Sequence, residues 1–434
     1  MKYLLKSAHV VDPQAELDGI FDVLIQDDKI KEVSENLEAD SATDVIDCQG
    51  YYLIPGLVDA HVHFRDPGYE YKETIETGCM AATKGGFTDV ATMPNTLPVC
   101  DTGSAVRYQI DRAREVGLAR VHPIGALTVG EKGEALAEIG DMYQAGAAGF
   151  SDDGRGVQSA GMMRTCMEYV SMFNRCIMPH CQDESLAGKG VVNEGRASTR
   201  LGLMGWPALA EEIEISRDID LCRLTGCPLH IQHISTARGL ELIRAAKAEG
   251  LPVTCEVTPH HLFLTEENIT DSYNTNLKVN PPLRTFKDAQ TLREGVVDGS
   301  VDIVVTDHAP HSAYEKDCEF EIASFGSVGL ETSLPLIYDH MVRKGEISMA
   351  RLVEIMAIRP REILRMDKVS IQPGYTADIT IVDPDRDVAV NRQLFAGRSY
   401  NSAFMGQRLT GQAVYVFVAG RPTLIDGKVF AKED

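Results

Sequence analysis

Residues 1–55 alternate apolar and polar positions in short runs: Tyr3–Val11, Phe21–Gln26, Lys29–Val33, Asp44–Asp47 and Tyr51–Ile54, separated by turn residues such as Asp27 and Asp28. Period-two runs bounded by turn formers predict β-strands, and no helical period interrupts them. The C-terminal end repeats the pattern in Ala377–Val382, Gln412–Ala419 and Thr423–Ile425, punctuated by Pro384, Gly411 and Gly420–Pro422. Two β-rich ends flanking a different middle predict one small β domain built from residues 1–55 and 372–434.

The middle, residues 56–371, alternates strand-like with helix-like segments. Eight strands are predicted: Leu57–His63, Thr88–Met93, Val121–Leu127, Ala148–Asp152, Cys176–His180, Pro228–Ile234, Pro252–Val257 and Asp302–Asp307. Helical stretches lie between them, among them Glu70–Lys84, Ser104–Val116, Glu134–Ala145 and Thr236–Glu249, the last followed by Gly250 as a C-terminal cap. Eight strand–helix repeats predict an α/β fold with a parallel sheet closed into a TIM (β/α)8 barrel. A barrel of this kind places its active site at the C-terminal ends of the strands.

The first barrel strand carries the chemistry. Alternation puts Leu57, Asp59, His61 and His63 on one face and Val58, Ala60 and Val62 on the other. Imidazoles at i and i+2 have Cα atoms roughly 6.5–7 Å apart, and both can reach one cation at about 2.0–2.1 Å. Polar residues recur at the same end of the later strands: Asn95 follows the second, Asp152 and Asp153 close the fourth, His180 ends the fifth, His233 the sixth and Asp307 the eighth. Four histidines and two carboxylates converging on one rim suffice for two divalent cations, with one carboxylate bridging. His230, three residues before His233, reads as a core or flank histidine, and His9, His122 and His340 read as structural; His260 and His261 could also reach a metal, although the six positions above already fill two sites.

The formal net charge of −22 opposes binding to nucleic acid and requires a local positive site for any anionic substrate. The N-terminal MKYLLKSAHVVDPQ lacks the apolar core of a secretory signal, and no run approaches a membrane span, which predicts a cytoplasmic protein. Ten cysteines scattered without a Cys-x-x-Cys pair read as buried thiols, Cys181 beside His180 included.

The segments PGLVDAHVHFRDPG, GFTDVATMPNT, GFSDDG, KVNPPLR, DIVVTDHAPH and GSVGLET together resemble dihydroorotase of the amidohydrolase superfamily, specifically the longer type I enzymes, over nearly the whole chain. The resemblance implies a cyclic amide hydrolase with two zinc ions per chain: His61 and His63 on one, His180 and His233 on the other, Asp153 bridging both. Related hydantoinases and allantoinases bridge with a carboxylated lysine; here GFSDDG offers Asp153, with Asp152 as its runner-up. Asp307 would complete the metal site and shuttle the proton as dihydroorotate and carbamoyl aspartate interconvert in pyrimidine biosynthesis. The substrate contacts so implied are His63, Arg65, Asn95 and His311, with Asn280, Phe325 and Gly326 around the ring. Arg65, two residues after His63, offers a fork of donors suited to a carboxylate. The two glycines of Ser324–Gly329 suggest either a closing lid or an ordinary surface loop.

Two other readings remain. A hydantoinase or allantoinase would share the barrel and metals, but Arg65, Asn95 and the aspartate favour dihydroorotate. A non-catalytic partner of aspartate transcarbamoylase would lack metal ligands, and none is missing here; an active homo-oligomer, or an active enzyme associated with that transcarbamoylase, fits the resemblance equally.

Overall fold

The two β-rich ends meet in one nine-stranded sheet. In the computed structural model, which describes residues 1–431, the strands run in the order Lys428–Val429, Arg421–Ile425, Arg408–Val418, Ile379–Ala389, Tyr52–Pro55, Lys2–Asp12, Leu17–Gln26 and Lys29–Ser34. Asp44–Asp47 pairs alongside Lys2–Asp12. The ends join where Ile379–Ala389 runs antiparallel to Tyr52–Pro55, with Ile381 opposite Leu53. Val10, Val23, Ile25 and Leu53 from one end share a buried core with Ile379, Ile381 and Phe417 from the other. Each end thus supplies the apolar surface that the other must bury. Residues 432–434 of the predicted C-terminal segment lie outside the described residues.

Pro384 does not punctuate this sheet but sits within Ile379–Ala389. The register against Arg408–Val418 shifts between Asp383 and Asp387, and a residue without an N–H is tolerated at such a bulge.

In the middle of the chain, parallel pairings run in sequence order. Leu57–Val62 pairs with Phe87–Thr92, that strand with Arg120–Gly125, and that with Gly149–Phe150. Single bridges then join Phe150 to Ile177 and Ile177 to Leu229. Leu229–Ile231 pairs with Val253–Val257, and that with Ile303–Val304. A final parallel bridge between His308 and Val62 brings the ladder back to its first strand. All these strands point the same way, so their C-terminal residues share one end of the ladder.

Several predicted elements are shorter than expected: the strands Ala148–Asp152, Pro228–Ile234 and Asp302–Asp307 reduce to Gly149–Phe150, Leu229–Ile231 and Ile303–Val304, and the helix predicted from Glu70 begins at Ile75. The segment predicted as strand Cys176–His180 is reduced to bridges at Ile177; Pro179 has no N–H to extend the ladder. The helix predicted from Glu134 begins at Ile139, because Val129 N–H bonds Ala135 O and Ala137 N–H bonds Leu127 O, which holds residues 135–137 against the preceding loop. Three other predicted helices start at side-chain caps: Thr74 before Ile75–Gly85, Thr102 before Gly103–Val116 and Thr236 before Ala237–Ala248. Among the described residues, no helix is long and apolar enough to cross a membrane.

Candidate active site

The strand ends open into a cavity of about 270 Å³ lined by His63, Arg65, Asn95, Asp153, His180, His233, Asn280, Asp307, His311, Phe325 and Gly326. His61 lies against it, fully buried. Every site residue expected from the sequence is therefore at this one place. Cavities of about 630 and about 940 Å³ open elsewhere, so it is the chemistry of the lining, not its size, that marks the site.

Asp153 stands at the centre. Its Oδ1 is 3.6 Å from His61 Nε2, 3.6 Å from His180 Nδ1 and 3.7 Å from His233 Nε2, while its Oδ2 is 3.5 Å from His63 Nε2. Asp307 Oδ1 lies 3.0 Å from His63 Nε2 and 3.7 Å from His61 Nε2. Most of these separations are long for hydrogen bonds. They match the edge of a tetrahedron whose corners lie about 2.1 Å from a metal, which is roughly 3.4 Å. His61 Nε2 and Asp153 Oδ1 are buried with no hydrogen-bond partner, a costly arrangement for protein atoms left to themselves. Two sets, His61 with His63 and Asp307, and His61 with Asp153 and His233, bring ligand atoms within 4.8 Å of one another. The donor set fits a divalent cation that takes nitrogen and oxygen ligands. Asp152 faces away: its carboxylate accepts from Leu127 N at 2.8 Å, Thr128 N at 3.0 Å and the Thr128 hydroxyl.

Residues behind the imidazoles aim them. His61 Nδ1 donates to Glu256 Oε1 at 2.6 Å, turning Nε2 to the cavity. Glu256 also takes His230 Nε2 at 3.0 Å and His233 N at 3.2 Å, so His230 is the satisfied core histidine its position predicted. His180 Nε2 donates to Gln182 Oε1 at 2.8 Å, leaving Nδ1 inward. Gln182 Oε1 also accepts from Asn280 Nδ2 at 3.2 Å. His63 Nδ1 donates to Asn95 Oδ1 at 2.9 Å, and Asn95 Nδ2 reaches Asp153 Oδ2 at 3.4 Å. Glu256 and Gln182 were not among the sequence candidates. Glu256 had a signal nonetheless, as a lone carboxylate in an otherwise apolar or hydroxylic strand run, Val253–Val257.

The electrostatics follow from this crowding. Burial pushes His61 down, but Glu256 and Asp153 outweigh it and hold the imidazole well above its usual pKa. Burial likewise works against the Glu256 carboxylate, yet His61 and His230 bring it down to about 2. Burial works to raise the Asp153 carboxyl, but His61, with His180 and His233, holds it well below the usual carboxylate range. Carboxylates behind metal-facing histidines typically alter metal affinity 10–100-fold. Glu256→Gln is therefore expected to raise the metal dissociation constant about tenfold or more, measured by chelator competition; unchanged affinity would deny Glu256 this role.

Arg65 lines the same cavity. The only protein hydrogen bond of its side chain among the described residues is from Nε to Pro310 O at 3.4 Å, and it makes no ion pair with Asp66, whose carboxylate takes Ile75 N and Tyr108 Oη. Most of the guanidinium fork is thus free to meet an anion in the cavity. His311 Nε2 donates to Phe325 O at 2.7 Å, which turns its Nδ1 away from that bond. Arg65, His233 and Asp307 all have left-handed backbones, with φ of 61°, 27° and 47°. Such strain in residues other than glycine gathers where side chains must be aimed against local preference. His260 and His261 are buried behind the site, His261 held by Thr258 Oγ1 and Pro281 O. All ten cysteines are unpaired, and burial holds the Cys181 thiol well above its usual pKa, as expected of a packing residue.

Parallel strands that deliver four imidazoles and two carboxylates to one cavity define a hydrolase with a metal cofactor. A family model described as Dihydro-orotase-like matches residues 50–239. A dihydroorotase from Acetivibrio thermocellus is 47% identical over 430 residues, covering 99% of each chain, and one from Pelobacter propionicus is 46% identical over 97% of this chain and 99% of its own. The chain belongs to the dihydroorotase family. Among solved structures, the L-hydantoinase (dihydropyrimidinase) from Arthrobacter aurescens superposes with a TM-score of 0.88 at 27% identity, over 99% of this chain and 97% of that one. The shared fold and the family agree on an amidohydrolase.

Proposed function

We propose that the chain is a zinc-dependent dihydroorotase that interconverts N-carbamoyl-L-aspartate and L-dihydroorotate in pyrimidine biosynthesis. In this reading the returning ladder of residues 56–371 is a (β/α)8 barrel, and residues 1–55 and 372–434 form the small β domain. His61, His63, Asp153, His180, His233 and Asp307 would hold two zinc ions. Bound there, the metal supplies Lewis acidity that polarises the amide carbonyl and makes water acidic enough to ionise near neutral pH.

The chain's own groups do the rest. Arg65 and Asn95 bind the substrate carboxylate with His311 beside them, and Asn280, Phe325 and Gly326 bound the ring, with His63 alongside. In the hydrolytic direction, water oxygen adds to the ring amide carbonyl carbon and the carbon–nitrogen bond breaks. Asp307, held at Oδ1 3.0 Å from His63 Nε2, takes the water proton and delivers it to the departing nitrogen. Run backwards, the same carboxylate removes a proton from the carbamoyl nitrogen as the ring closes.

The observation that carries this reading is an open guanidinium, Arg65, in the same 270 Å³ cavity as the Asp153 cluster. It provides a positive anchor for an anionic ring on a chain of net charge −22. The likeness to a hydantoinase favours one competitor, a hydantoin hydrolase. Steady-state kinetics on both substrates separate the two: dihydroorotate is expected to exceed unsubstituted hydantoin in kcat/KM by about 100-fold or more, since a hydantoin lacks the carboxylate that Arg65 would pair. Equal or reversed preference would refute the assignment.

A further inference from the structure

Two lysines beside the cavity have no counter-ion. Lys278 and Lys316 are 2% and 6% exposed, and neither forms an ion pair with a carboxylate among the described residues. A buried ammonium needs partners for all three of its hydrogens. Lys316 Nζ donates to Ser324 O at 2.8 Å and Gly326 O at 2.9 Å, with Lys278 O at 3.5 Å. Lys278 Nζ donates to Phe320 O and Glu321 O, both at 2.9 Å, and the Phe325 ring centre lies 4.5 Å away. The Lys278 carbonyl in turn accepts from Gly326 N at 2.9 Å. Both ammonium groups are thus directed at one segment, Phe320–Gly326, whose last two residues line the cavity.

Hydrogen bonds, and not a side chain of its own, hold this segment at Gly326. Gly326 has φ 136°, and a Cβ there would stand 2.7 Å from that of Ala309, so no side chain can anchor this point by packing. Every carbonyl from Ser324 to Gly326 instead accepts from a side chain: Ser324 from Lys316, Phe325 from His311, and Gly326 from Lys316 and Asn401 Nδ2. Burial pushes the Lys316 ammonium down to about 7 and that of Lys278 down to about 8, in keeping with charges met by dipoles and not by carboxylates. The glycines that suggest a lid belong to a loop tied down on both sides.

We infer that Lys316 and Lys278 are positioning residues for the proposed reaction: their ammonium groups fasten the Phe320–Gly326 backbone so that Phe325 and Gly326 form a fixed wall against the substrate ring. The inference rests on the proposed reading of the cavity. Its test is Lys316→Met in the full-length, metal-loaded protein, read by hydrogen–deuterium exchange and by steady-state kinetics with dihydroorotate. Exchange across residues 320–327 is expected to rise about tenfold or more, and KM to rise about tenfold with kcat changing about threefold or less. Unchanged exchange, or faster exchange at unchanged KM, would overturn the inference, as would faster exchange spread evenly over the chain. If Lys316→Met fails to fold, Lys278→Met, which releases only the Phe320 and Glu321 carbonyls, is read by the same two measurements with the same outcomes. A wild-type protein that does not turn over dihydroorotate would refute the functional reading alone, and the exchange comparison would still decide whether the lysines hold the loop.

Discussion

Asp307→Asn is expected to lower kcat for dihydroorotate about 10²–10⁴-fold, the range typical of losing a positioned general acid or base. Burial acts to raise the Asp307 carboxyl, but the His63 hydrogen bond and His61 hold it well below the usual carboxylate range, so it enters the reaction ionised. Asparagine keeps the shape and a neutral ligand oxygen but cannot take a proton. The left-handed backbone at Asp307, φ 47°, is one that asparagine adopts readily. Folding and metal content should therefore survive while turnover is lost. Kinetics with elemental analysis of the same preparation check this; a variant with near wild-type kcat would remove Asp307 from proton transfer.

Arg65→Ala is the second large effect. The Arg65 guanidinium has one long backbone hydrogen bond and no carboxylate partner among the described residues, and burial alone lowers its pKa while Asp307 and Asp153 oppose that change. A desolvated cation of this kind gains its missing partner when the substrate carboxylate arrives. Truncating one side of such a pair costs about 3–4 kcal/mol, or roughly 10²–10³ in kcat/KM. Metal content should be unaffected, because no atom of Arg65 is placed among the donors. Equal loss of metal and of turnover would show that Arg65 supports the metal cluster and not the substrate.

Much of this site could be read along the chain because its residues sit at strand ends, where period-two alternation fixes facing. Asp59, His61 and His63 alternate with Val58, Ala60 and Val62, and the pattern of apolar back and polar front survives folding. Choosing between Asp152 and Asp153 was beyond alternation alone, since neighbours at a strand end can turn either way. The backbone N–H groups of Leu127 and Thr128 take one carboxylate and leave the other to the histidines. Glu256 pairs with His61 across 195 residues, and no local pattern encodes that pairing; Gln182 lies only two residues from His180, but a glutamine just past a strand end carries no signal that it will turn back onto the ring. Lys316 escaped for the opposite reason: a lysine in a polar loop reads as solvated, and only the fold shows it 6% exposed. Element boundaries slipped where a loop captured residues with helical propensity, as at Glu134–Glu138, or where proline withheld a hydrogen bond, as at Pro179.

The central claim is that a metal held by the Asp153 cluster is required for dihydroorotate chemistry. Elemental analysis of the purified protein, with dihydroorotate hydrolysis followed before chelation, after it and after refilling with zinc, tests that claim directly. About two zinc ions per chain are expected, with activity that disappears with the metal and returns when zinc is restored. Full activity in protein stripped of metal would contradict the claim.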